Sequence, residues 1–138
     1  MTFNDYMKRR IALDEAIKSK EEQLAALKEE ATKITVSSGS GASGSVSDRV
    51  GKTVAKIVDL KSEICDDVDK LITLKTELRQ IINAVPYPIC RTILERKLIL
   101  LETNETIAGK IGYSVPHTKR LYKNAKRIFE KMIPNELE

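Results

Sequence analysis

Two apolar patterns run along this chain, one of long helices and one of short ones. Over residues 3–34, Tyr6, Leu13, Ile17, Leu24, Leu27, Ala31 and Ile34 recur in alternating steps of four and three, with Arg10 and Lys20 in the stripe's two missing positions. Such a repeat lays one face of an α-helix against a partner helix. Residues 35–48, with the run Ser37-Ser-Gly-Ser-Gly-Ala-Ser-Gly-Ser45, have no apolar face. Burial cannot offset the entropy of ordering them, so a flexible loop is expected there. The period resumes over 49–85 at Val50, Val54, Ile57, Ile64, Val68, Leu71, Leu78 and Val85, widened by Leu60, Leu74, Ile81 and Ile82. Ser45, Ser47 and Asp48 offer N-terminal caps, and Pro86-Tyr87-Pro88 stops the helix.

Two long helices of similar length, joined by the loop over 35–48, are expected to fold back as an antiparallel coiled-coil hairpin. The stripe on the second helix is wider than one neighbour covers. A homo-oligomer follows, most simply a twofold dimer, with Ile57, Ile64, Val68, Leu71 and Leu78 at the interface. Lys20 and Lys61 fall at stripe positions, where they snorkel or pair and can set register.

Past residue 86 the elements shorten. Pro88 suits the first turn of a helix through Leu101, with Ile89, Ile93, Leu94, Lys97, Leu98 and Leu101 on one face. Thr103 is placed to cap a helix over 104–111, and Gly112 supplies its left-handed end. Ser114 caps a last helix that carries Pro116 in its first turn, Thr118, Leu121, Ala125, Ile128 and Met132 on its inner face, and Pro134 past its end. The predicted fold is all-α: a helical hairpin in residues 1–85, then a helix-turn-helix in residues 86–138.

Composition narrows the function. Apolar residues are 41% of the 138, too many and too regular for a disordered tail. The longest aliphatic run is Leu98–Leu101, so no bilayer span and no membrane partner are expected. Asp5, Lys8, Arg9 and Arg10 are followed by no apolar leader core, and a cytoplasmic protein is expected. Two cysteines, Cys65 and Cys90, and one histidine, His117, lack the spacing of a zinc site. Nucleotide-binding and nucleophile motifs are absent as well, so neither enzyme chemistry nor a cofactor is expected.

Charge is concentrated. Residues 1–85 are neutral, and residues 86–138 account for the whole net charge of +4. Within 116–132, Lys119, Arg120, Lys123, Lys126, Arg127 and Lys131 stand against Glu130 alone. A concentrated positive field attracts polyanions, above all duplex phosphates. A short helix, a Gly turn and a longer basic helix form the helix-turn-helix plan, whose second helix enters the major groove. Its outward N-terminal residues make Pro116, His117, Lys119 and Arg120 candidates for reading bases. Thr103, Asn104, Ser114, Lys123, Lys126 and Arg127 are candidates for the DNA backbone.

The stretch Thr103-Asn-Glu105-Thr-Ile107-Ala108, then Gly112-Tyr-Ser114, then Thr118, Leu121, Ala125 and Ile128 resembles region 4 of sigma-70 factors. The whole chain resembles phage regulators of the RinA/ArpU type. The resemblance joins a heptad-rich first half and a Ser/Gly-rich insert to the segment Asp48-Arg-Val50-Gly51-Lys-Thr-Val54-Ala55-Lys56-Ile57 and the region-4-like end. It implies a sequence-specific, double-stranded-DNA-binding regulator that activates late phage genes in a bacterial host. Thr106 stands where the family motif has a second Glu, and Val115 and Pro116 occupy the first base-reading positions, which moves readout to His117, Lys119 and Arg120. Two rivals share the architecture: a DNA-packaging subunit of the small-terminase kind, and a coiled-coil adaptor for host RNA polymerase.

Overall fold

The computed structural model describes residues 1–37 and 43–134, with side chains described for 1–34 and 47–134. The fold is all-α. Its helices are α1 (Phe3–Ser37), α2 (Ser43–Ala84), α3 (Pro88–Leu94), α4 (Asn104–Ile111) and α5 (Val115–Met132), and α3 runs on into a π-helical turn, Glu95–Ile99. Among the described residues, no helix is long and apolar enough to cross a membrane.

Helix extends into both ends of the segment 35–48 expected as a loop. α1 continues to Ser37 and α2 begins at Ser43, so Ser45, Ser47 and Asp48, expected before the helix, lie within α2. Adding a residue to an existing helix gains a hydrogen bond without a new nucleus, so even Ser and Gly are recruited. Residues 38–42, the centre of the expected flexible loop, lie outside the described residues. At the other end, Thr2 and Asp5 start α1 with reciprocal bonds. The Asp5 N–H donates to Thr2 Oγ1 at 3.2 Å, and the Thr2 N–H donates to Asp5 Oδ2 at 2.8 Å. These bonds from Thr2 hold the Asp5 carboxyl below its usual value.

The chain divides into two compact units, Met1–Ile11 with Ile72–Glu138, and Ala12–Leu71. The first holds a dense core. Phe3, Tyr6, Leu74, Leu78, Ile81, Ile82, Val85, Cys90, Ile93, Leu94, Leu98, Ile107, Ala108, Ala125 and Phe129 are all at most 3% exposed. Phe129 of α5 is its aromatic hub, meeting Phe3 edge-on at 5.4 Å and Tyr6 at 5.7 Å between ring centres. The Tyr6 hydroxyl donates to Glu77 Oε1 at 2.7 Å. Leu78, expected at a dimer interface, is wholly buried in this core. It therefore offers no surface to a second copy.

Arg10, which filled a gap in the apolar stripe, is also buried, and its Nη2 donates to the Ile99 carbonyl at 3.0 Å. The guanidinium satisfies one of the carbonyls that a helix end leaves without an intrahelical partner. The expected regular helix to Leu101 is not formed. The turn after Leu94 widens, the Leu100 N–H reaches the Glu95 carbonyl, and Leu101 leaves at φ +54°. The Glu102 N–H then bonds the Arg96 carbonyl at 2.9 Å. The extra residue in the π turn rotates Leu100 into solvent.

The second unit is sparse. Lys20, the other gap in the stripe, donates to Asp67 Oδ2 of α2 at 2.7 Å, with Glu63 at 3.9 Å. The hydrogen bond to Asp67 leads the causes that raise the Lys20 pKa. Lys61 is exposed. Ile57, Ile64, Val68 and Leu71 are only half-buried.

Truncating the aromatic hub tests its weight. Phe129→Ala is expected to lower the unfolding free energy by roughly 3–5 kcal/mol, read by urea denaturation at constant m-value.

Candidate nucleic-acid interface

The candidate surface is built by two caps and one left-handed residue. Thr103 stands in extended backbone before α4, and its Oγ1 accepts from the Thr106 N–H at 3.2 Å. α4 ends at Gly112, whose φ of +77° is open to Gly and strained for other residues. The Gly112 and Tyr113 N–H groups both reach the Ala108 carbonyl, at 3.0 and 3.1 Å. Ser114 starts α5, its Oγ accepting from the His117 N–H at 3.2 Å. Pro116 lies in the first turn, where its missing N–H leaves no gap in the ladder. Buried Ile107 and Ala108 leave room for α5 to pack on α4, and α5 packs on α3 as well.

The inner face of α5 is Thr118, Ala125 and Phe129. Thr118 is a polar residue in the core, tolerated because its hydroxyl donates to the Ser114 carbonyl at 2.9 Å. Ile128, expected on this face, is half-buried, and Phe129 holds the deep position. At about 100° per residue, burying 118, 125 and 129 turns 116, 120, 123 and 127 directly outward. Pro116, Arg120, Lys123 and Arg127 are indeed all exposed.

The remaining candidates take other positions. Lys119 is exposed on one flank of that row. His117 falls on the opposite flank, half-buried, its ring edge-on to Tyr113 at 5.0 Å. Lys126 turns inward, its Nζ 4.7 Å from the centre of the Tyr122 ring. The Oγ atoms of Thr103 and Ser114 serve as caps. Asn104 is half-buried, and its Oδ1 is buried without a hydrogen-bond partner.

Lys97 joins this surface, although the apolar pattern marks it only as a member of a helix stripe. Its Nζ also lies 4.7 Å from the Tyr122 ring centre, so two cations share one aromatic ring. Burial pulls the Lys97 ammonium below its ordinary pKa, with Glu105 opposing and Lys126 adding to the shift. Burial likewise raises the Tyr122 phenol. The signal for Lys97 is that a charged residue interrupts an apolar face.

Glu105 of α4 is the acid that acts on Lys97, while Glu130 and Glu102 are engaged elsewhere. Glu130, the acid on α5, accepts the Phe3 N–H at 3.1 Å. Glu102 is clamped by Arg96 at 2.9 Å and by Lys110 at 2.8 Å. Among the described residues, Lys119, Arg120, Lys123 and Arg127 have no ion-pair partner. A row of free cations on a convex helix face is suited to polyanion contact. Among the described residues, no group of His, Cys, Asp or Glu is placed to hold a metal ion. No known protein family, curated protein or solved structure matches the chain.

The Glu102 clamp ties the π turn to α4 and yields a pH signature. Hydrogen bonds from Lys110 and then Arg96 hold the Glu102 carboxyl below its ordinary value of 4.5. Its stabilising effect is therefore present above that value and disappears as pH falls through the depressed native one. Glu102→Gln is expected to lower Tm at pH 7, and the gap from wild type is expected to close progressively below pH 4.5 in thermal melts.

Proposed function

We propose that this chain is a phage-encoded, sequence-specific regulator of transcription that binds duplex DNA through the outward face of α5 and activates late genes. One observation carries the reading: Arg120, Lys123 and Arg127 project opposite the buried face of α5, beside exposed Lys119, with no carboxylate paired to any of them among the described residues. The caps at Thr103 and Ser114 and the left-handed Gly112 support reading residues 86–138 as a helix-turn-helix. The phage context and the sign of regulation rest on the resemblance to the RinA/ArpU type.

In this reading α5 enters the major groove by its N-terminal half. Arg120, at the centre of the outward row, is the leading base reader, able to donate both guanidinium nitrogens to guanine O6 and N7. Lys119 and His117 reach bases or phosphates on either side of it. Lys123 and Arg127, further along the same row, meet phosphates and fix register. Lys126 and Lys97 hold positive charge at the margin through Tyr122.

Selection from random-sequence duplex DNA followed by gel shift tests the proposal. The wild-type chain is expected to enrich a discrete site. The pair Lys119→Ala with Arg120→Ala is expected to abolish discrimination between that site and scrambled DNA, about 1–3 kcal/mol per base-reading side chain. Lys123→Ala with Arg127→Ala is expected to weaken all sequences alike and to make the salt slope shallower by about 0.9 for each phosphate no longer neutralised. Failure of the wild type to enrich any site, or unchanged binding by both pairs with unaltered melts, overturns the reading.

A further inference from the structure

Within the unit Ala12–Leu71, α2 carries two heptad seams offset by one residue. Thr53, Ile57, Leu60, Ile64, Asp67 and Leu71 form the first. It faces α1, since Asp67 holds Lys20, and its Thr53, Leu60 and Asp67 are buried. Val54, Val58, Lys61, Cys65 and Val68 form the second, in steps of four and three. Val54 is 47% and Val58 59% exposed, Lys61 and Cys65 are exposed, and Val68 is half-buried. A 3.5-residue period in an exposed stripe keeps it on one side of the helix over several turns, which is the shape that accepts another α-helix.

The occupant follows from burial and charge. In this unit Leu60 is the one buried apolar residue among the described positions, accompanied by Thr53 and Asp67. Two helices with so small a core need further apolar cover. The second seam is complementary to itself in one orientation. Laid antiparallel on a second copy, Val58 meets Val68 of that copy and Lys61 meets Cys65, with Asp69 one turn beyond. The twofold axis repeats each contact. Lys61 and Asp69 are both exposed, and neither has an ion-pair partner among the described residues of its own chain. Parallel pairing would instead set Lys61 on Lys61.

We infer that the Val54–Val68 seam of α2 is where a second copy of this chain docks, antiparallel about a twofold axis between Lys61 and Cys65. Of the interface residues expected from the sequence, Val68 belongs to this seam. Ile57, Ile64 and Leu71 lie on the seam that faces α1, and Leu78 belongs to the core. The inference stands independently of DNA binding.

Light scattering of the full chain without DNA tests it. The wild type is expected at twice the chain mass. Val54→Glu with Val58→Glu is expected at a single chain mass with unchanged helical circular dichroism. A monomeric wild type, a larger ring, or a double variant still at twice the mass overturns the inference. Orientation is tested on folded protein by oxidising a mixture of wild type with the variant Lys61→Cys, Cys65→Ser. Antiparallel docking is expected to give the mixed disulfide between wild type and variant. Disulfides joining only like chains overturn it.

Discussion

The pinning of one face of α5 is the constraint from which the rest of the candidate surface follows. Thr118, Ala125 and Phe129 are sealed, so the helical repeat fixes Pro116, Arg120, Lys123 and Arg127 on the opposite side. Phe3 and Tyr6 of α1 close over Phe129, and the same helix N-terminus engages Glu130 through the Phe3 N–H. The packing that anchors the helix therefore also occupies its own acidic residue. Anchoring and electrostatics are one arrangement here, not two.

The same unit shows how buried polarity positions a backbone. Arg10 reaches the Ile99 carbonyl where the π turn ends, and Glu102 joins Arg96 to Lys110 just beyond it. Leu101, at φ +54°, lies between these two fixings. A bulky residue in that conformation costs energy unless its surroundings hold it. Bonds on both sides supply that restraint and fix where α4 begins.

Residues 12–71 follow a different balance. Their buried set is largely polar, and Lys20 with Asp67 takes the place that an apolar pair holds in an ordinary seam. A charged pair specifies which residues face each other more than it stabilises them. The apolar residues left on the outer flank of α2 are then surface available for association, and their heptad spacing restricts what fits.

Features that depend on neighbours within about four residues can be read directly along the chain. The caps at Thr103 and Ser114, the stop at Gly112, the break at Pro86–Pro88 and the all-α class are of this kind, because capping bonds and proline or glycine backbone limits act over one turn. The segregation of positive charge into α5 is legible for the same reason. Which residues of each stripe are buried is not legible in that way. Phe3 and Tyr6 lie more than a hundred positions from Phe129, and no periodicity within α1 or α5 relates them. Arg10 likewise reads as a flaw in a heptad until the Ile99 carbonyl is brought to it. Lys126 reads as one more cation until Tyr122 draws it inward, and the π turn that exposes Leu100 depends on hydrogen bonds that no stripe encodes. Local patterns fix which face of a helix is apolar, but burial is a sum over neighbours distant in sequence, and only the folded chain supplies them.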